Sequence, residues 1–117
     1  METKFISNKK NVAKRPVPIP IKGEKEDALV IKNVKEKQIQ DLKMYEAGEI
    51  YLQSLSSMVP PLVLNPKPNE KVLDLTAAPG SKTTQMAAMM QNKGYILANE
   101  LDALRCERLK YNVEKQG

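Results

Sequence analysis

Val72-Leu-Asp-Leu-Thr-Ala-Ala-Pro-Gly-Ser-Lys-Thr-Thr-Gln85 decides the fold of this chain. A strand expected over Lys71–Thr76 has the near-continuous apolar character of a central parallel strand. It runs into a tight loop of small residues, and the loop runs into a helix expected over Lys82–Gln91. Met86, Ala87, Met89 and Met90 offer that helix an apolar face. Asn92-Lys93-Gly94 reads as its stop. Tyr95–Ala98 is the next strand, and Asp102 is a candidate N-cap for a last helix to about Gln116. Strand–helix–strand–helix is a βαβ unit plus one helix, with parallel strands and a right-handed crossover. It predicts an α/β protein containing the first half of a doubly wound sheet.

In such sheets a ligand binds beyond the C-terminal ends of the strands. The loop there is Thr76, Ala77, Ala78, Pro79, Gly80, Ser81 and Lys82. Small side chains let a ligand approach the backbone, and the helix adds the positive end of its dipole. Asp74 is expected to fix the loop through its N–H groups. Glu100 closes the second strand and follows Gly80 by twenty residues, the offset at which a carboxylate meets ribose hydroxyls in this topology. A phosphate loop would need glycine at positions 76 and 81, which hold Thr76 and Ser81. A dinucleotide fingerprint would need three spaced glycines, and this loop has Gly80 alone. A nucleoside without phosphates fits better, with S-adenosylmethionine as the leading candidate.

Upstream, Ala28–Lys32 and Glu49–Gln53 are short strand candidates. Lys35–Tyr45 can form a helical turn or two, with Ile39 and Leu42 on one face, before Gly48 breaks it. Ser56 or Ser57 is an N-cap candidate for a helix to Leu64, with Pro60 and Pro61 in its first turn. Met58, Leu62 and Val63 would then face the core. Three parts are expected: a basic segment 1–27, an intermediate part 28–70 packing on the core, and the ligand-binding part 71–117.

Residues 1–25 hold seven Lys/Arg against Glu2 and Glu24, which accounts for the whole formal charge of +5. A basic segment of this kind can add phosphate contacts to a nucleic-acid site, or remain a solvated tail. Its alternate prolines, Pro16, Pro18 and Pro20, favour an extended or polyproline-like path. No apolar run approaches the ~20 residues of a membrane helix. The N-terminus has no apolar stretch of the secretory type. Cys106 is the one cysteine, so no internal disulfide forms. With no histidine either, a metal site is not expected. This composition is consistent with a reducing cytoplasm.

Gln53-Ser-Leu-Ser-Ser-Met58, Pro60-Pro61, Leu64-Asn-Pro-Lys-Pro68, the loop segment Val72–Gln85 and Ile96-Leu-Ala-Asn-Glu100 together resemble the Sun/Fmu-type RNA cytosine-5 methyltransferases. The resemblance runs from about Ala28 to Gly117. It implies a Rossmann-like methyltransferase sheet, S-adenosylmethionine against Thr76 to Lys82, Glu100 on the ribose, and the segment Gln53–Leu64 beside that pocket. It implies rRNA or tRNA as the partner. Thr76 stands where many members have Cys or Ala. In that family a Cys thiolate adds to carbon-6 of cytosine, and a second Cys and an Asp-Ala-Pro-Cys segment lie on later strands that these 117 residues do not contain. Cys106 is no substitute. It shares a helical stripe with Asp102, Leu109 and Val113 and is expected to pack on the sheet as a small hydrophobe.

These residues are accordingly expected to be the cofactor half of a methyltransferase, without its catalytic residue and inactive alone. A truncated gene, a split gene or an isolated piece would each account for that. The alternative is a non-catalytic remnant that binds cofactor, RNA or a protein. The expected bare edge of Lys71–Thr76 invites a complementing chain or self-association.

Overall fold

The computed structural model describes residues 4–8 and 28–117. The chain divides into two compact units, the second being Ser56–Gly117.

The first unit holds a three-stranded antiparallel sheet of β1 (Lys4–Asn8), β2 (Ala28–Ile31) and β3 (Ile50–Gln53), in the order β2-β1-β3. β2 and β3 match the expected strands. β1 is an extended strand that the sequence reading did not single out. It is the central strand, pairing Phe5 with Val30 on one edge and with Gln53 on the other. Lys4–Asn8 contains no proline, so every N–H can join a ladder, which a central strand requires. Pro16, Pro18 and Pro20 lie outside the described residues.

Between β2 and β3 the chain forms two one-turn helices, α1 (Glu36–Gln40) and α2 (Lys43–Glu46). The Lys35 N–H donates to Gln38 Oε1 at 3.0 Å, which starts α1. Leu42 is extended at the N-cap of α2, so it does not share a face with half-buried Ile39 and is itself 44% exposed. Ile50 anchors β3 in this unit's interior. Burial also pushes the Tyr51 hydroxyl above its ordinary pKa, with a smaller push from Tyr45.

The second unit carries the predicted alternation: α3 (Leu55–Leu64), β4 (Lys71–Asp74), α4 (Ser81–Met89), β5 (Tyr95–Ala98) and α5 (Ala103–Gln116). β4 and β5 are parallel, in a register that pairs Lys71 with Tyr95 and Asp74 with Ala98. Among the described residues, no strand pairs with the other edge of β4. β4 ends two residues sooner than expected, because Leu75 and Thr76 already belong to the turn.

α3 departs from expectation. It begins at Leu55 rather than after Ser56 or Ser57, which places Pro60 and Pro61 inside the helix. The buried face is formed by Met58 and Pro61, one turn apart. Leu62 and Val63 face outward instead, and Val63 is 78% exposed.

α4 also stops earlier than Gln91. Gln91 and Asn92 take left-handed backbone angles. The Asn92 N–H reaches Ala87 O at 2.9 Å and the Gln91 N–H reaches Ala88 O at 3.0 Å. That is a Schellman stop built without glycine at its left-handed position. Gly94 has a different task, at φ +123°. A Cβ there would stand 2.6 Å from both Glu70 O and Met90 Cε, so only glycine admits this close approach into β5.

α5 starts as predicted, with Asp102 Oδ1 accepting from the Arg105 N–H at 2.8 Å. Its stripe is partly corrected. Leu109 is buried, but Cys106 is half-buried and Val113 is 40% exposed. Among the described residues no helix is long and apolar enough to cross a membrane.

Candidate functional site

The loop from β4 to α4 is short and tightly tied. The Ala77 N–H donates to Asn99 O at 2.9 Å, and the Gly80 N–H donates back to Ala77 O at 2.7 Å. Asn99 also reaches across with its side chain, Nδ2 to Leu75 O at 3.0 Å. Ala77, Ala78 and Gly80 are buried, whereas Thr76 and Pro79 are exposed. Gly80 caps α4 at φ +108°. A Cβ there would lie 3.2 Å from Leu109 Cδ1, so α5 packs directly under the turn.

Two polar side chains of α5 hold the loop carbonyls. Arg105 Nη2 donates to Ala78 O at 3.1 Å, and Asn112 Nδ2 donates to Pro79 O at 2.7 Å. Arg105, Leu109 and Asn112 follow i, i+4, i+7 spacing and so share one helix face. Sequence reasoning passed over this stripe. The signal was present as polar residues two turns apart on either side of a buried leucine.

Asp74 behaves differently from expectation. Its Oδ2 accepts from Thr83 Oγ1 at 2.7 Å, so the carboxylate ties the end of β4 to the first turn of α4 rather than binding loop N–H groups. Thr84 Oγ1 donates to Gly80 O at 2.8 Å and further closes that turn. The N–H groups of Ser81, Lys82 and Thr83 open α4, where a helix provides no internal acceptors. Ser81 and Lys82 also meet α3: Ser57 Oγ lies 3.2 Å from Ser81 Oγ and accepts from Lys82 Nζ at 3.2 Å. Gln85 Nε2 reaches Met58 O at 3.1 Å. α3 thus lies against the start of α4, beside the loop.

Glu100 stands just beyond β5. Only 6% of its side chain is exposed. Oε1 accepts from the Asp102 N–H at 3.1 Å and lies 3.6 Å from Arg105 Nη1. Oε2 is buried and has no hydrogen-bond partner. A buried carboxylate oxygen left without a donor costs free energy of about 1–3 kcal/mol or more. A ligand hydroxyl placed there would recover it. A ribose offers two such hydroxyls, and the neighbouring loop offers small residues and helix N–H groups. The residues present therefore fit an adenosine-type group.

Residues 61–117 match the family model described as 16S rRNA methyltransferase RsmB/F. This part of the chain belongs to the RsmB/F methyltransferase family. The tRNA (cytosine(49)-C(5))-methyltransferase of Pyrococcus abyssi is 52% identical over 73 residues, covering 62% of this chain and 24% of the relative. The ribosomal RNA small subunit methyltransferase F of Shewanella amazonensis is 44% identical over 79 residues, covering 66% of this chain and 17% of the relative. Among solved structures, that of NSun6 from Pyrococcus horikoshii with SFG superimposes with a TM-score of 0.64 at 32% identity. It covers 80% of this chain and 24% of that one. The chain thus spans less than a quarter of the length of each of these three proteins. The strand–helix alternation and small parallel sheet of the second unit are those of the methyltransferase fold.

Proposed function

We propose that this chain carries the S-adenosylmethionine-binding part of an RNA cytosine-5 methyltransferase. The observation that carries the proposal is the buried, unpartnered Glu100 Oε2 beside the Ala77–Gly80 turn. Glu100 accepts the ribose hydroxyls. Thr76, Ala77, Ala78, Pro79 and Gly80 line the approach with backbone, and their small side chains keep it open. Ser81 and Lys82, with Thr83, present the N–H groups of the α4 N-terminus to the ligand. The bound cofactor supplies an electrophilic methyl group. The chain's own work is to orient that cofactor and shield its ribose from water.

RNA is the methyl acceptor in this proposal, as rRNA or tRNA. The names of the relatives support it, as does the concentration of Lys and Arg in residues 1–25. The division into a basic segment 1–27, a part 28–70 and a cofactor-binding part 71–117 is proposed with it. Cys106 is assigned no part in methyl transfer, because it is half-buried within α5. The 117 residues by themselves are expected to bind cofactor without turnover.

Titration calorimetry with S-adenosylmethionine tests the proposal. The parent chain binds, and Glu100→Ala weakens binding by about 10- to 100-fold, the worth of one or two hydrogen bonds to a charged group. Equal binding by the parent and Glu100→Ala would overturn the assignment.

A further inference from the structure

The Arg105 side chain is forked between the two halves of the candidate site. Nη2 donates to Ala78 O at 3.1 Å in the loop, and Nη1 lies 3.6 Å from Glu100 Oε1 beyond β5. Its own place is fixed, because Asp102 Oδ1 accepts from the Arg105 N–H and sets it in the first turn of α5. The guanidinium edge is partly open, with 54% of the side chain exposed, while Glu100 beneath it is almost wholly covered. Of the two carboxylate oxygens, the one near Arg105 is also the one taken by the Asp102 N–H, and the other is left without a donor.

We infer that Arg105 is a positioning residue for ribose recognition. By engaging Oε1 and the Ala78 carbonyl together, it fixes the carboxylate so that Oε2 faces the ligand, at a set distance from the loop. This rests on the assignment of Glu100 to the ribose. Lysine cannot reproduce the arrangement, since one ammonium lacks the planar fork that reaches both acceptors at once. Without the guanidinium, the carboxylate keeps only the Asp102 N–H on Oε1 and turns about it. Binding must then pay the entropy of ordering it.

The test compares S-adenosylhomocysteine with its 3′-deoxy analogue, by calorimetry on the full chain, for the parent, Arg105→Met and Arg105→Lys. Melting curves verify that each is folded. The parent prefers the hydroxylated probe by about tenfold or more. In Arg105→Met the preference falls to about twofold, and Arg105→Lys lies between, recovering one of the two contacts. Should Arg105→Met be unfolded, Arg105→Lys carries the comparison. If the variants weaken both probes by one common factor and keep the parent's preference, Arg105 merely supports α5 and the inference fails, with the Glu100 assignment intact. If the parent binds neither probe, or shows no preference between them, the Glu100 assignment fails and the inference with it.

Discussion

On one face of the β4–β5 pair, Ala98 packs against Ala77, Ala78 and Leu109, and Val72 and Ile96 are half-buried. On the other face Leu73, Tyr95 and Leu97 are each more than half exposed. Strand alternation places equally apolar residues on both faces, so composition does not separate them. The separation comes from the helix after each strand. α4 and α5 bring buried apolar groups together with the Thr83, Arg105 and Asn112 side chains to one side, and those side chains fix the loop. The site is therefore a property of the covered face. Its geometry depends on α5, which lies about thirty residues downstream of the loop it holds.

The same chemical change on the two faces should have unlike consequences. Leu109→Ala removes a buried side chain from under Gly80 and is expected to cost about 2–4 kcal/mol in denaturant unfolding. It should also loosen the loop and weaken cofactor binding. Leu97→Ala removes a side chain already 52% exposed and is expected to stay within about 0.5 kcal/mol, with binding unchanged. Comparable losses from both substitutions would break the distinction between the faces. A binding loss from Leu97→Ala alone would move the site to the open face.

Much of the second unit is legible in the sequence, because its signals are local. The bounds of β5, the Asp102 cap of α5 and the loop between β4 and α4 each depend on a few neighbouring residues. The misread parts depend on distant ones. Pro60 and Pro61 favour a helix start by local rule, but the helix already begins at Leu55, with Met58 and Pro61 buried on one face. Helix α4 stops at Met89 with Gln91 in the left-handed position usually held by glycine, while Gly94 is required where Glu70 and Met90 crowd it. The hydrogen bonds from Arg105 and Asn112 to the loop span 27 and 33 residues, so the spacing of Arg105, Leu109 and Asn112 marks a shared helix face without naming the loop as its partner. Asp74 reads from the sequence as part of the loop's support, but its partner is the Thr83 hydroxyl, nine residues on. In the first unit, the central strand β1 lies in a segment whose prolines dominate its reading.

Amide-resolved NMR of the 117-residue chain, titrated with S-adenosylhomocysteine, tests the central claim most directly. The covered-face account predicts that the largest shifts fall on Thr76, Ala77, Ala78, Gly80, Ser81, Lys82 and Thr83, and on Glu100 to Asp102. Leu73, Tyr95 and Leu97 should stay almost still. Shifts centred on those three open-face residues, or a titration that moves none of the loop amides, would contradict it.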